Sequence, residues 1–91
     1  MKSKIVIIQT NTKKKGKLDQ RSFSCQVLEL GKRRMYALEN TKRDLGLKRF
    51  TLTEGCRVID DGVYYPIHQI FHTPNPQHPI LVVYPDSVNR T

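Results

Sequence analysis

The chain has 91 residues with 16 Lys and Arg against 8 Asp and Glu, a formal charge of +8, and an apolar fraction of 37%. That length fits one domain spanning residues 1–91 and leaves no room for two; a chain this size buries roughly 60–65% of its unfolded surface, enough for one modest core. No stretch approaches the roughly 20 apolar residues of a membrane span, and the clustered, often β-branched apolar residues are unlike a disordered composition.

Met1 to Lys4 is basic, but only Ile5 to Ile8 follow as an apolar run. A secretion signal needs about 7–15 apolar residues, so the cytoplasm is the expected compartment. Cys25 and Cys56 lie far apart, each inside an apolar-alternating segment. A free Cys there acts as a small hydrophobe, and no disulfide is required.

Taken in chain order, Lys4 to Gln9 reads as a strand, and its unbroken β-branched run predicts burial on both faces. Asn11 to Lys17 reads as a polar, Lys-rich loop around Gly16. In Arg21 to Leu30, Phe23, Cys25 and Val27 alternate with Ser22, Ser24 and Gln26, the period of a strand. The apolar phase slips to Leu28 and Leu30, which predicts a β-bulge near residues 27–28. Gly31-Lys32 suits a type II′ hairpin turn. The return strand, about Arg33 to Asn40, places Tyr36 and Leu38 on one face.

Residues 41–47 read as a loop or a single helical turn, because Thr41 and Asp44 have capping-box spacing and Gly46 stops a helix almost at once. Arg49 to Thr53 alternates again with Phe50 and Leu52 inward, and Glu54-Gly55 turns the chain. Asp61-Gly62, between Arg57–Asp60 and Val63–Tyr65, is a strong hairpin signal. Beyond it, a strand with Val63, Tyr65, Ile67 and Phe71 on one face competes with a short helix opening at Pro66 and burying Ile67, Ile70 and Phe71; the strand is preferred. Residues 74–79 form a Pro-rich loop, residues 79–84 a last strand, and residues 86–91 a frayed tail. About six short strands with regular turns predict a mainly β domain: a small antiparallel barrel or sandwich, SH3-like or OB-like, with at most one short helical turn.

Charge is the functional signal. Residues 1–57 hold 15 basic and 5 acidic side chains, whereas residues 58–91 hold one basic and three acidic. The cations cluster as Lys13, Lys14, Lys15 and Lys17; Lys32, Arg33 and Arg34; Lys42 and Arg43; Lys48 and Arg49. Such clusters fit a regularly charged phosphate chain, since each cation that neutralises a phosphate releases condensed counterions. Arg33 and Arg34 could engage phosphates bidentately, and Tyr36 and Tyr64, if they face outward, could stack on bases. The partner expected is therefore DNA or RNA, bound mainly through its backbone. The alternative is an inhibitor or adaptor docking on an acidic protein surface.

Chemistry is weakly signalled. His68, His72 and His78 show no workable metal spacing with Cys25 or Cys56, and on one strand His68 and His72 would stand about 13 Å apart at roughly 3.3 Å per residue. A histidine general base with a cationic helper would suit a small ribonuclease, but no spacing selects one. Ser22, Ser24, Asp60 and Asp61 form no recognisable triad, and no phosphate-cradling Gly-rich frame surrounds Gly16. The expectation is a non-enzymatic module without metal or cofactor.

Overall fold

The longest elements are two strands joined by a tight turn. In the computed structural model, which describes residues 2–39, 52–73 and 78–87, β1 (Lys2–Lys14) and β2 (Lys17–Leu30) pair antiparallel from Lys2↔Val27 out to Lys14↔Lys17. The connection is Lys15-Gly16, both at positive φ (54° and 80°), as a type I′ turn demands. The polar stretch Asn11–Lys17 is therefore ribbon and turn rather than loop. The register shifts between Gln9 and Lys13, and the Thr10 hydroxyl donates to the Asp19 carbonyl across this irregularity. No bulge occurs at residues 27–28: β2 pairs without interruption from Cys25 to Leu30 with β3 (Arg33–Leu38). Leu28 and Leu30 keep the strand's phase and are simply exposed outward-facing residues.

The remaining strands are β4 (Arg57–Asp60), β5 (Val63–Pro66), β6 (Gln69–Phe71) and β7 (Ile80–Val83). One antiparallel seven-stranded sheet results, in the order β5-β4-β1-β2-β3-β7-β6. Its two edge strands are consecutive in the chain, so the sheet must curl until its edges meet. Two backbone bonds make the link: Ile67 N–H donates to the Cys56 carbonyl, continuing the β4 pairing, and His68 N–H donates to the Val82 carbonyl, opening the β7 pairing. The architecture is thus a small, barrel-like β fold with seven strands rather than six. Among the described residues the one helical element is a 3-10 turn, Pro85–Ser87, so no helix there is long and apolar enough to cross a membrane.

Val6, Ile8, Phe23, Cys25, Tyr36, Leu38, Val58, Ile67, Leu81 and Val83 fill the concave side, each at most 4% exposed. Full burial of such side chains stabilises by roughly 1.5–3 kcal/mol each. Both cysteines are buried and free. The first strand is buried on one face only: Val6 and Ile8 enter the core, while Ile5 is 69% exposed, since among the described residues no second layer covers the convex side there. The bend at residues 67–68 changes which side chains point inward, so Ile70 packs on the core and Phe71 turns outward, 42% exposed. Residues 63–71 adopt the strand reading, not the short helix. The expected turn near 41–47, most of the Arg49–Thr53 strand, residues 74–77 of the Pro-rich loop and residues 88–91 of the tail lie outside the described residues.

The hairpins expected at Gly31-Lys32 and Asp61-Gly62 are present. Gly31 has φ +63°, the first position of a type II′ turn, and Asp61 and Gly62 have φ +51° and +81°, a type I′ turn. A Cβ at Gly62 would meet no neighbour, so backbone conformation alone decides the cost of a substitution. Gly62→Val is expected to destabilise by about 1–2 kcal/mol, the scale for a β-branched residue held left-handed, read as a lower urea midpoint at unchanged m-value. A midpoint equal to the parent's would contradict this.

Candidate nucleic-acid interface

The two hairpin turns at the ends of β2 carry the basic clusters that fall within the described residues, and so hold them at opposite ends of the molecule. Their surroundings differ sharply.

At the β2–β3 end carboxylates stand beside the cations. The Asp60 carboxylate, 6% exposed, is the hub. Lys4 pairs with its Oδ1 and reaches Asp61 at 3.3 Å. The Tyr36 hydroxyl donates to Asp60 Oδ2 at 2.7 Å, and Arg34 Nη1 donates to the Tyr36 hydroxyl at 3.3 Å. Arg34 Nε also donates to Glu29 Oε1 at 2.7 Å, and its guanidinium lies 5.2 Å from the Tyr65 ring centroid. These groups line a cavity of about 260 Å³ at the end of the fold. Asp86 lies beside Lys32 and Arg33 across the neighbouring surface. Among the described side chains, Lys4 and Arg34 are paired with Asp60, Asp61 and Glu29, and Asp86 shares the surface of Lys32 and Arg33.

This network corrects one sequence assignment and bears on another. Tyr36 is fully buried, so it offers no ring face to a base. Arg34 is engaged by Glu29, Tyr36 and Asp60. Lys32 is exposed and Arg33 half-buried; both remain on the surface, with Glu29 and Asp86 beside them. Lys42, Arg43, Lys48 and Arg49 lie outside the described residues.

Burial at the same end has a consequence for alkaline stability. Desolvation pushes the Cys25 thiol up to about 11, and burial raises the Tyr36 phenol well above the usual tyrosine range. Hydrogen bonding to Asp60 raises Lys4 as well. All three groups keep in the folded state a proton that the unfolded chain gives up at lower pH. Stability that is fully present below about pH 8.5 should therefore fall as pH rises through about 9 to 11. Urea midpoints at about pH 8, 9.5 and 11 should decline in that order, and Tyr36→Phe should shed part of the decline. A midpoint indifferent to pH would contradict the assignment.

The β1–β2 turn is electrically different. Lys13, Lys15 and Lys17 are exposed, and no ion pair joins them to an acid among the described residues; Lys14 lies between them in the chain. Asp19 pairs with Arg21. The ribbon runs past its neighbours: pairing with β4 ends at Gln9↔Arg57, and β3 ends at Leu38, opposite Cys25, with Glu39 N–H donating to the Ser24 carbonyl. Among the described residues no strand flanks the hairpin beyond these points. No protein-family model matches the chain, and no characterised protein or solved structure is significantly similar to it.

Behind the Lys-bearing tip, strand register assembles polar side chains that no linear motif revealed. Arg57, Gln9 and Gln20 are direct cross-strand partners on β4, β1 and β2 and so share the convex face. Gln9 Nε2 donates to Gln20 Oε1 at 3.1 Å, and Arg57 Nη2 donates to Asn11 Oδ1 at 2.7 Å. Tyr64 stands on the same face, paired through Ile59 with Ile7, and is 51% exposed. Of the two candidate stacking tyrosines, Tyr64 is the one with an accessible ring.

The histidines take part in other contacts. His68 packs edge-on against Tyr84 with centroids 4.6 Å apart, and His78 Nδ1 lies 3.1 Å from the Leu38 carbonyl oxygen. Among the described residues no three His, Cys, Asp or Glu side chains are grouped to hold a metal.

Proposed function

We propose that the chain is a nucleic-acid-binding module that grips the phosphate backbone with the lysines at the tip of the β1–β2 ribbon. The observation that supports this reading is the contrast between the two ends. The Lys32–Arg34 end commits Arg34 to Glu29 and sets Glu29 and Asp86 on the same surface as Lys32 and Arg33, whereas Lys13, Lys15 and Lys17 are displayed on a two-stranded arm without described acidic partners. Charge displayed this way fits a polyanion, because a protruding hairpin tip can reach into a groove or lie along a phosphate chain without steric hindrance from the rest of the fold. Backbone contacts position a protein on nucleic acid without reading sequence, so unrelated sequences should bind with similar affinity. The test is fluorescence anisotropy with unrelated DNA and RNA oligonucleotides near 50 mM salt. Binding at micromolar protein to all of them supports the reading. No binding at tens of micromolar protein sinks it and moves the acidic protein partner to first place.

A further inference from the structure

The convex face beside the ribbon contains a hollow of about 350 Å³ whose walls include Tyr64, Pro66, Arg57, Asn11 and Glu54. Its chemistry is mixed in a specific way. Tyr64 supplies an exposed aromatic face. The Asn11 side chain holds the Arg57 guanidinium through a 2.7 Å hydrogen bond, which leaves further N–H groups of both residues for a ligand. Glu54 adds an acceptor. A phosphate would be repelled by Glu54 and would leave the Tyr64 ring face unused. A nucleobase uses all three: a ring to stack, acceptor edges for Arg and Asn, and amino groups for a carboxylate.

Position adds a second constraint. Asn11 belongs to β1, two residues before Lys13 on the same arm, so the hollow opens at the root of the Lys-bearing ribbon. A nucleic acid whose phosphates lie along Lys13–Lys17 brings its next nucleotides to the hollow. Only an unstacked base can turn its face onto Tyr64, because in a duplex both faces of each base are already stacked on neighbouring pairs.

We propose, resting on the backbone-binding reading above, that this hollow receives one unpaired base of a single-stranded nucleic acid, stacked on Tyr64 with Arg57 and Asn11 at its edge. Lys13, Lys15 and Lys17 then supply affinity by charge, and the hollow supplies the preference for single strands. Recognition of this kind tolerates different sequences, since every base has a face to stack.

The experiment compares the full chain and two variants, Tyr64→Ala and Tyr64→Phe, on a labelled single strand of about ten nucleotides, within the roughly 4–16 covered by OB-type folds, and on its duplex. The parent should bind the single strand more tightly. Tyr64→Ala should lose roughly 5- to 100-fold on the single strand, the range for one base–aromatic stack, with the salt slope unchanged. Its duplex affinity should match the parent's, which also reports that the variant is folded. Tyr64→Phe keeps the ring and should stay within about twofold of the parent. Equal parent affinity for both forms, or a Tyr64→Ala loss shared equally by both, overturns the single-strand hollow and leaves the Lys ribbon standing. Absence of binding to either form removes the backbone-binding reading as well.

Discussion

Asp60→Ala should destabilise the fold by about 3 kcal/mol, more than any other single charge removal among the described residues. The carboxylate is nearly buried and faces Lys4, Arg34 and the Tyr36 hydroxyl at once. Removing it leaves two cations and a buried phenol without their shared acceptor. Breaking one partner out of a buried charge pair costs about 3–5 kcal/mol; the lower end applies because Lys4 and Arg34 keep some contact with water, at 31% and 20% side-chain exposure. Asp60→Asn keeps an acceptor for Tyr36 and should lose about half as much. Lys4→Met, which removes only the most solvated member, should cost about 1 kcal/mol or less. Urea unfolding of the three variants should rank them in that order, and an Asp60→Ala protein as stable as the parent would refute the hub role.

The largest expected functional loss comes from charge removal on the ribbon. Lys13→Gln, Lys15→Gln and Lys17→Gln combined should lower single-strand affinity on the order of 100-fold at 0.1 M salt. Each phosphate contact contributes about 0.7 to the slope of log K against log salt on single strands, or roughly fivefold between 1 M and 0.1 M. The exposed positions of these lysines make a folding defect an improbable cause, and glutamine keeps their length. Lys32→Gln with Arg33→Gln should cost clearly less, because Glu29 and Asp86 stand on the same surface. Equal losses from the two sets would mean that the field of the whole molecule, not the ribbon, governs binding.

Some of this was legible in the residues alone and some was not, for identifiable reasons. Period-two alternation put Phe23 and Cys25 on one face and Tyr36 and Leu38 on one face, and all four face the core. Gly at a required positive φ marked the turns at Gly31 and Gly62. The ribbon tip was missed because Lys15-Gly16 is not one of the favoured hairpin pairs and the flanking residues are polar on both faces, so no alternation announces a strand. Ile5 to Ile8 looked doubly buried because sequence records β-branching but not whether a second layer covers the convex face. Arg34 and Tyr36 looked available for a ligand because their engagement with Asp60 spans 24 to 26 positions in the chain, beyond the reach of any local pattern. The face built from Asn11, Arg57, Gln9 and Gln20 was invisible for the same reason: only register places β4 beside β1.

The central claim is that the ribbon's cations hold a phosphate backbone, and the salt dependence of parent binding tests it most directly. Anisotropy titrations with a single-stranded oligonucleotide across roughly 50 to 300 mM salt should give a linear plot of log K against log salt. With the lysines of residues 13–17 making three or four contacts, its slope should be about −2 to −3 at roughly 0.7 per phosphate. A slope near zero, or no binding at the lowest salt with tens of micromolar protein, would contradict the account.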